Sequence, residues 1–358
     1  MLFYRYESEN EMTARQRYKL ISCLILLLLS GCSTFSYYNQ AISGQSELLE
    51  KRVPITDVLT DKKLDINVRR KLQVVQEARV FSVKELGLPD NNSYRDYADL
   101  KRPYVMWNVF VTPAFSLKPI EWCYPIVGCI AYRSFFTRTD AQQLKLEMEA
   151  KGHDVYLAGI PAYSTLGWFD DPVVNSMMHW EDYDLVGTLF HELAHQKFYI
   201  KSDTVFNESL AKTIEQEGLR RWMNYKSQGK LYQKYLLDDK REKAFVKIVL
   251  NARSRLERLY NNNQKQVNKL AAKLDVFRLL RQDYRQLREF WGGYDGYDRW
   301  MLSGVNNAKI QSIATYYDYV PAFKRILTEQ GGDLSLFYKQ VKKITMQTEH
   351  ERKRMLAK

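Results

Sequence analysis

Histidine is scarce in this chain, five among 358 residues, and long hydrophobic runs are scarcer still. The one sustained apolar run, Leu20 to Leu29, is too short to cross a bilayer, and no later stretch reaches the roughly eighteen apolar residues that a spanning helix needs. The remainder is therefore expected to be soluble. A compact basic patch is also missing. Lys and Arg number 54 against 42 Asp and Glu, a net charge of +12, but the cations are scattered among acids, as in KLYQKYLLDDKREK. That argues against nucleic acid as a partner; the excess charge keeps a protein soluble or holds it near anionic lipid head groups. No internal repeat is visible. Cysteine is nearly absent from the body of the chain, where only Cys123 and Cys129 occur, in WCYPIVGCI. A short loop with a Pro and a Gly can close as a disulfide in an oxidising compartment. Buried thiols are the alternative, and no neighbouring His supports a catalytic cysteine.

Two of the few histidines stand in HELAHQ, at His191 and His195. One helical turn apart, they share a face, so two imidazoles can reach one Zn²⁺ while Glu192 stands beside the metal and can take a proton from water. The local pattern predicts the helix. Leu185, Val186, Leu189, Phe190, Leu193, Ala194 and Phe198 recur at spacings of three and four between Asp184 and Ile200, with Gly187 as the weak point. The helix is expected to stop near Lys201, with Ser202 or Asp203 capping a second one that carries Phe206, Leu210, Ile214 and Leu219.

In such a hairpin Glu208, in FNESLA, comes level with the histidines and is the expected third ligand of a single zinc ion. Glu215 lies two turns further, closer to the level of His191, and reads as a group behind a ligand or as helix surface. Asn207 either hydrogen-bonds near the site or is an ordinary first-turn polar residue. His153 and His179 fall outside the hairpin and read as ordinary surface or core residues.

The N-terminus bears on location. Arg15, Arg17 and Lys19 precede the apolar run, the arrangement of a signal peptide. The run ends in Leu29-Ser30-Gly31-Cys32, which resembles the lipobox of bacterial lipoproteins. That resemblance implies a signal peptide over residues 1–31, diacylation of Cys32 and a membrane anchor. Ser33 after the cysteine favours, by analogy, an outer-membrane lipoprotein facing the periplasm. A plain secretory signal is the alternative. Glu7, Glu9 and Glu11 suit a signal peptide badly, so Met12 competes with Met1 as the initiator.

Composition divides the rest. Residues 32–55 read as a tether rich in Ser, Gln and Gly. Residues 56–181 read as an α+β subdomain: helix over 56–90 ending at Gly87-Leu88-Pro89, loop in PDNNSYRDY, strands in YVMWNVFVT, CIAYRSFF and DVYLAGI, and a helix in DAQQLKLEMEAKG. Residues 182–358 read as almost wholly helical, with long amphipathic stretches whose Leu and Tyr stripes belong to packing. The fold class is α+β, a small sheet subdomain followed by a mostly helical, metal-bearing one.

A small sheet, a metal-bearing helix and a helical remainder resemble thermolysin-like zinc peptidases, the gluzincins, on His191, Glu192, His195 and Glu208. The spacing departs from the best-known members, which place more residues between the second His and the Glu. WCYPIVGCIAYRSFF, AYSTLGWFDDPV, HELAHQ, FNESLAKTIEQEG and NNAKIQSIATYYDYVPAF together resemble a bacterial family called putative or predicted aminopeptidases. The resemblance implies zinc-dependent hydrolysis of peptide or protein substrates. It also suggests a downstream oxyanion donor, for which Tyr316 is a candidate beside a plain packing role. AYSTLGWFDDPV is a candidate substrate edge strand, in which Asp170 and Asp171 either bind a substrate α-amine or shape the turn before Pro172. An envelope endopeptidase and a non-catalytic zinc-binding lipoprotein are the competing readings.

Overall fold

A computed structural model describes residues 36–124, 128–162, 164–165, 169–262 and 266–356, leaving aside the side chains at 266–267 and 314–316. Cys32, Met1 and Met12 lie outside these residues. So do Tyr163, residues 166–168 of the expected edge strand, and the side chain of Tyr316. The chain divides into a unit ending at Glu47 and a far larger one, Leu48–Lys358. Within the segment read as a tether, residues 36–50 form helix α1.

The expected helix over 56–90 is two helices, α2 (Ile55–Val58) and α3 (Ile66–Lys84). The break has a cause in Asp65, whose carboxylate accepts from Asn67 N at 2.8 Å and Val68 N at 3.2 Å and so starts a new helix. Past the end of α3, Gly87 takes φ +61°, the left-handed conformation that closes helices.

Of the small sheets, the largest places β3 (Met106–Pro113) between β6 (Arg133–Phe135) and β7 (His153–Ile160), both antiparallel to it. The stretch CIAYRSFF, expected as one strand, is split. Its first part is β5 (Gly128–Ile130), which pairs with β4 (Trp122–Tyr124) in a separate hairpin, and its last part is β6. Cys123 and Cys129 face each other across that hairpin and form a disulfide. Helix α4 (Arg138–Ala150) packs on β3 and β7. A third sheet has β2 (Asp96–Ala98) between β1 (Arg52–Pro54), antiparallel, and β8 (Val173–Val174), parallel.

From Asp182 the chain is helical: α5 (Asp182–Lys197), α6 (Thr204–Tyr225), α7 (Gly229–Tyr260), α8 (Gln266–Phe290), α9 (Asp298–Leu302), α10 (Asn307–Tyr317), α11 (Val320–Glu329), α12 (Leu334–Thr345) and α13 (Glu349–Leu356). The class is α+β, as the sequence pattern indicates. The principal core draws on both the strand-bearing and the helical parts: Leu72, Phe81, Val105 and Val173 join Leu189, Phe190, Leu193, Phe206, Ile214 and Phe323. Burying each such side chain contributes about 1.5–3 kcal/mol before the entropy of ordering it is counted. A second cluster, including Val249, Leu256, Phe277, Leu280 and Ile310, ties α7 and α8 to α10. No described helix is long and apolar enough to cross a membrane.

Candidate metal centre

The site is built on the hairpin of α5 and α6. The apolar face read in the sequence is buried, with Leu185, Val186, Leu189, Phe190 and Leu193 each at most 2% exposed, which locks α5 against α3 and α6. Two glycines let the helices approach. A Cβ at Gly218 would stand 2.7 Å from Phe190 Cδ2 and 2.8 Å from Leu86 Cδ1, and one at Gly187 would stand 2.9 Å from Leu219 Cδ1. Gly187, a weak point by helix propensity, is thus a point of close contact.

Helix α5 ends at Lys197, earlier than the pattern indicates. Phe198 is already extended, at φ −139° and ψ 121°. The side chain of Asn207 explains this: it accepts from Ile200 N and donates to Ile200 O, both at 2.8 Å, and so pairs that backbone as a neighbouring strand would. Asn207 therefore shapes the turn. Asp203 caps α6, accepting from Phe206 N at 3.2 Å, and Arg352 holds the same carboxylate at 2.6 Å. Ser202, at φ +65°, accepts from Cys129 N at 3.0 Å, so the disulfide hairpin rests on this turn.

The turn brings three side chains together. His191 Nε2 lies 3.1 Å from His195 Nε2 and 3.2 Å from Glu208 Oε2, and His195 Nε2 lies 3.6 Å from Glu208 Oε2. All three residues are buried. A tetrahedral zinc with nitrogen and oxygen ligands at about 2.0–2.2 Å separates its ligand atoms by about 3.3 Å, so the spacing found here fits such an ion. His191 Nδ1 is 3.1 Å from Glu215 Oε2, and Glu215 Oε1 accepts from Lys212 Nζ at 2.8 Å. Lys212 also lies 3.6 Å from Glu242, which accepts from Tyr317 Oη at 2.5 Å.

The electrostatics show a cluster that calls for positive charge. Burial opposes ionisation of His191, yet the Glu208 and Glu215 carboxylates outweigh it and lift the imidazole to about 10. Burial likewise opposes ionised Glu208, but His195 and His191 bring it down to about 2; for Glu215, Lys212 and then His191 do the same. A divalent cation satisfies the same demand, with the imidazoles neutral. Glu192 takes no part in the trio and makes no hydrogen bond or ion pair among the described residues; burial raises its carboxyl above the ordinary value.

The remaining candidates are dispersed. Glu215 stands behind His191. Asp171 is buried, with its Oδ2 accepting from Thr165 N at 2.8 Å, whereas the Asp170 carbonyl accepts from Arg52 at 2.7 Å. His153 lies at the start of β7 and His179 is exposed; neither joins the trio. Lys212 and Tyr94 were not singled out from the sequence. Lys212 follows Glu208 by one turn and was within reach of helical-wheel reasoning; Tyr94, in a loop far from HELAHQ in sequence, carries no pattern that marks it.

A family model described as "Putative aminopeptidase" matches residues 36–356. The chain belongs to that family. No curated protein matches the chain, and no solved structure does. The family match spans the metal trio, the disulfide hairpin and the helical remainder. Its description is that of a hydrolase acting on peptides, which agrees with what a buried trio of this spacing and a neighbouring free carboxylate can do chemically.

Proposed function

We propose that the chain is a zinc-dependent aminopeptidase, with a gluzincin-like site on α5 and α6, anchored through Cys32 as an outer-membrane lipoprotein facing the periplasm. The observation that carries the hydrolytic reading is the tetrahedral spacing of His191, His195 and Glu208 combined with Glu192, which adjoins the trio without belonging to it. The anchor rests on the lipobox-like Leu29-Ser30-Gly31-Cys32 and the basic residues before it. Zinc would be held by His191, His195 and Glu208 and would supply Lewis acidity, polarising a carbonyl and acidifying water near neutral pH.

The residues divide the remaining work. Glu215 accepts from His191 Nδ1–H, which leaves the Nε2 lone pair directed to the trio and keeps the ring from turning. Lys212 keeps Glu215 ionised by compensating its buried charge. Glu192, its carboxyl made more basic by burial, takes a proton from the attacking water as the new C–O bond forms, and delivers it to the leaving amine as the C–N bond breaks.

The test uses the full-length protein in mild detergent, with its metal quantified, and peptides with free or acetylated N-termini. Removal of N-terminal residues from free peptides alone, lost in Glu192→Gln with zinc retained, establishes the aminopeptidase. Cleavage of acetylated peptides makes it an endopeptidase, and bound zinc without turnover in the wild type overturns the catalytic reading.

A further inference from the structure

The loop PDNNSYR, which leads into β2, is held at several points. Arg79, 4% exposed, donates to three of its carbonyls: Ser93 O at 3.0 Å and Pro89 O and Asn91 O at 2.8 Å. Asn91 Nδ2 donates to Gln196 Oε1 at 2.7 Å, and Gln196 Nε2 donates to Ser93 Oγ at 3.1 Å. Gln196 adjoins His195, so the loop is fastened to the metal helix itself. Tyr94 N donates to Asp171 O at 2.6 Å and fixes the loop from the other side.

This clamping holds Tyr94 in a costly state. Its φ is +63°, a region that bulky residues rarely enter and that costs on the order of 1–3 kcal/mol. The ring is 3% exposed and the hydroxyl, wholly buried, has no hydrogen-bond partner. Ser164 stands beside the phenol, and its hydroxyl donates to Asp171 Oδ2 at 3.3 Å. A buried, unsatisfied hydroxyl costs about 1–3 kcal/mol, so phenylalanine would serve the fold better. Among the described residues no other tyrosine has a buried hydroxyl left without a partner.

The placement of that hydroxyl gives the cost a use. Burial, followed by the negative charge of Glu192 and then of Asp171, holds the proton on the phenol. Gln196, which holds Asn91 and Ser93, lies one turn after Glu192 on α5, so the loop that carries Tyr94 is fastened to the Glu192 face of that helix. A neutral O–H donor without an acceptor, on a loop fastened to the helix face that carries the group read as the base, matches what a developing oxyanion requires.

We propose that Tyr94 is a further catalytic residue, whose hydroxyl donates a hydrogen bond to the substrate carbonyl oxygen as negative charge develops there. The O–H bond is kept throughout, so no proton passes to or from Tyr94. The proposal rests on the peptidase reading.

Tyr94→Phe in the full-length, zinc-loaded protein tests it. The expected result is a fall in kcat of about a hundredfold or more, little change in KM, unchanged zinc content and a melting temperature equal to or above that of the wild type. Independently of turnover, calorimetry should show a phosphinic peptide, whose tetrahedral anion mimics the oxyanion, binding the variant weaker by a similar factor. Unchanged turnover and phosphinate affinity overturn the proposal. So does an activity loss that comes with lost zinc or a lowered melting temperature, which would make the residue structural. If the wild type neither cleaves peptides nor binds the phosphinate, the peptidase reading fails and takes this role with it; an active wild type with an equally active variant sinks the role of Tyr94 alone.

Discussion

Glu215 Oε2 lies 3.1 Å from His191 Nδ1 while its Oε1 accepts from Lys212 at 2.8 Å, so one buried carboxylate joins an imidazole to an ammonium. Removing its charge should loosen the metal without abolishing the site. Glu215→Gln is expected to weaken zinc affinity by about 10- to 100-fold, as measured by competition with a chelator of known strength. An affinity equal to the wild type would mean that His191 is oriented by packing alone.

The trio and its neighbour should separate binding from chemistry. His195→Ala and Glu208→Ala each remove a donor from a group of atoms 3.1–3.6 Å apart and should copurify with little zinc. Glu192→Gln, outside the trio, should retain zinc at wild-type stoichiometry while hydrolysis falls below detection. Elemental analysis beside the peptide assay decides this, and loss of zinc in Glu192→Gln would place that carboxylate among the ligands.

What the sequence revealed of the site is what helical spacing can carry. His191, His195 and Glu208 repeat on helices whose apolar faces were plain, and the capped turn put them level. The early end of α5 was not legible, because it depends on Asn207 bracketing Ile200, a contact between a side chain and a backbone seven residues away. The division of CIAYRSFF between two sheets was hidden for a similar reason: β-propensity marks both halves alike, and only their partners, β4 and β3, distinguish them. Tyr94 was the least legible. Its position follows from Arg79, Gln196 and Asp171 acting together on one loop, which no local pattern records.

The close approach of α5 and α6 makes a prediction about stability. An alanine at Gly218 gains about 1 kcal/mol of helix propensity, yet its methyl would meet Phe190 at 2.7 Å and Leu86 at 2.8 Å, both packed in the core. Overpacking of this kind costs about 1–3 kcal/mol, so after that gain Gly218→Ala should be destabilised by up to about 2 kcal/mol on chemical denaturation. At Gly187 the added methyl would also stand 3.3 Å from Glu215 Cγ, so Gly187→Ala should weaken zinc binding as well. A Gly218→Ala protein more stable than the wild type would show that the helices can part at no cost.

Asp171 should leave a signature in the pH dependence of stability. Burial, with a smaller contribution from the charge of Glu192, raises its carboxyl from 3.8 to about 7 against the opposing hydrogen bonds of Thr165 and Ser164. A folded-state pKa above the unfolded one means that the folded protein binds the proton more tightly. Below about pH 4 both states are protonated and the group costs nothing. Between pH 4 and 7 the unfolded chain ionises alone and stability falls; above pH 7 the whole penalty is present, on the order of 4 kcal/mol. Asn at this position keeps an oxygen for Thr165 N–H and cannot ionise. Asp171→Asn should therefore gain on the wild type as pH rises, its advantage in unfolding free energy growing by about 2–3 kcal/mol between pH 5 and pH 8. Denaturant titrations of both proteins across that range, with and without zinc, would show it, and curves that stay parallel would mean that Asp171 is charged in the folded protein at neutral pH and paired with a cation.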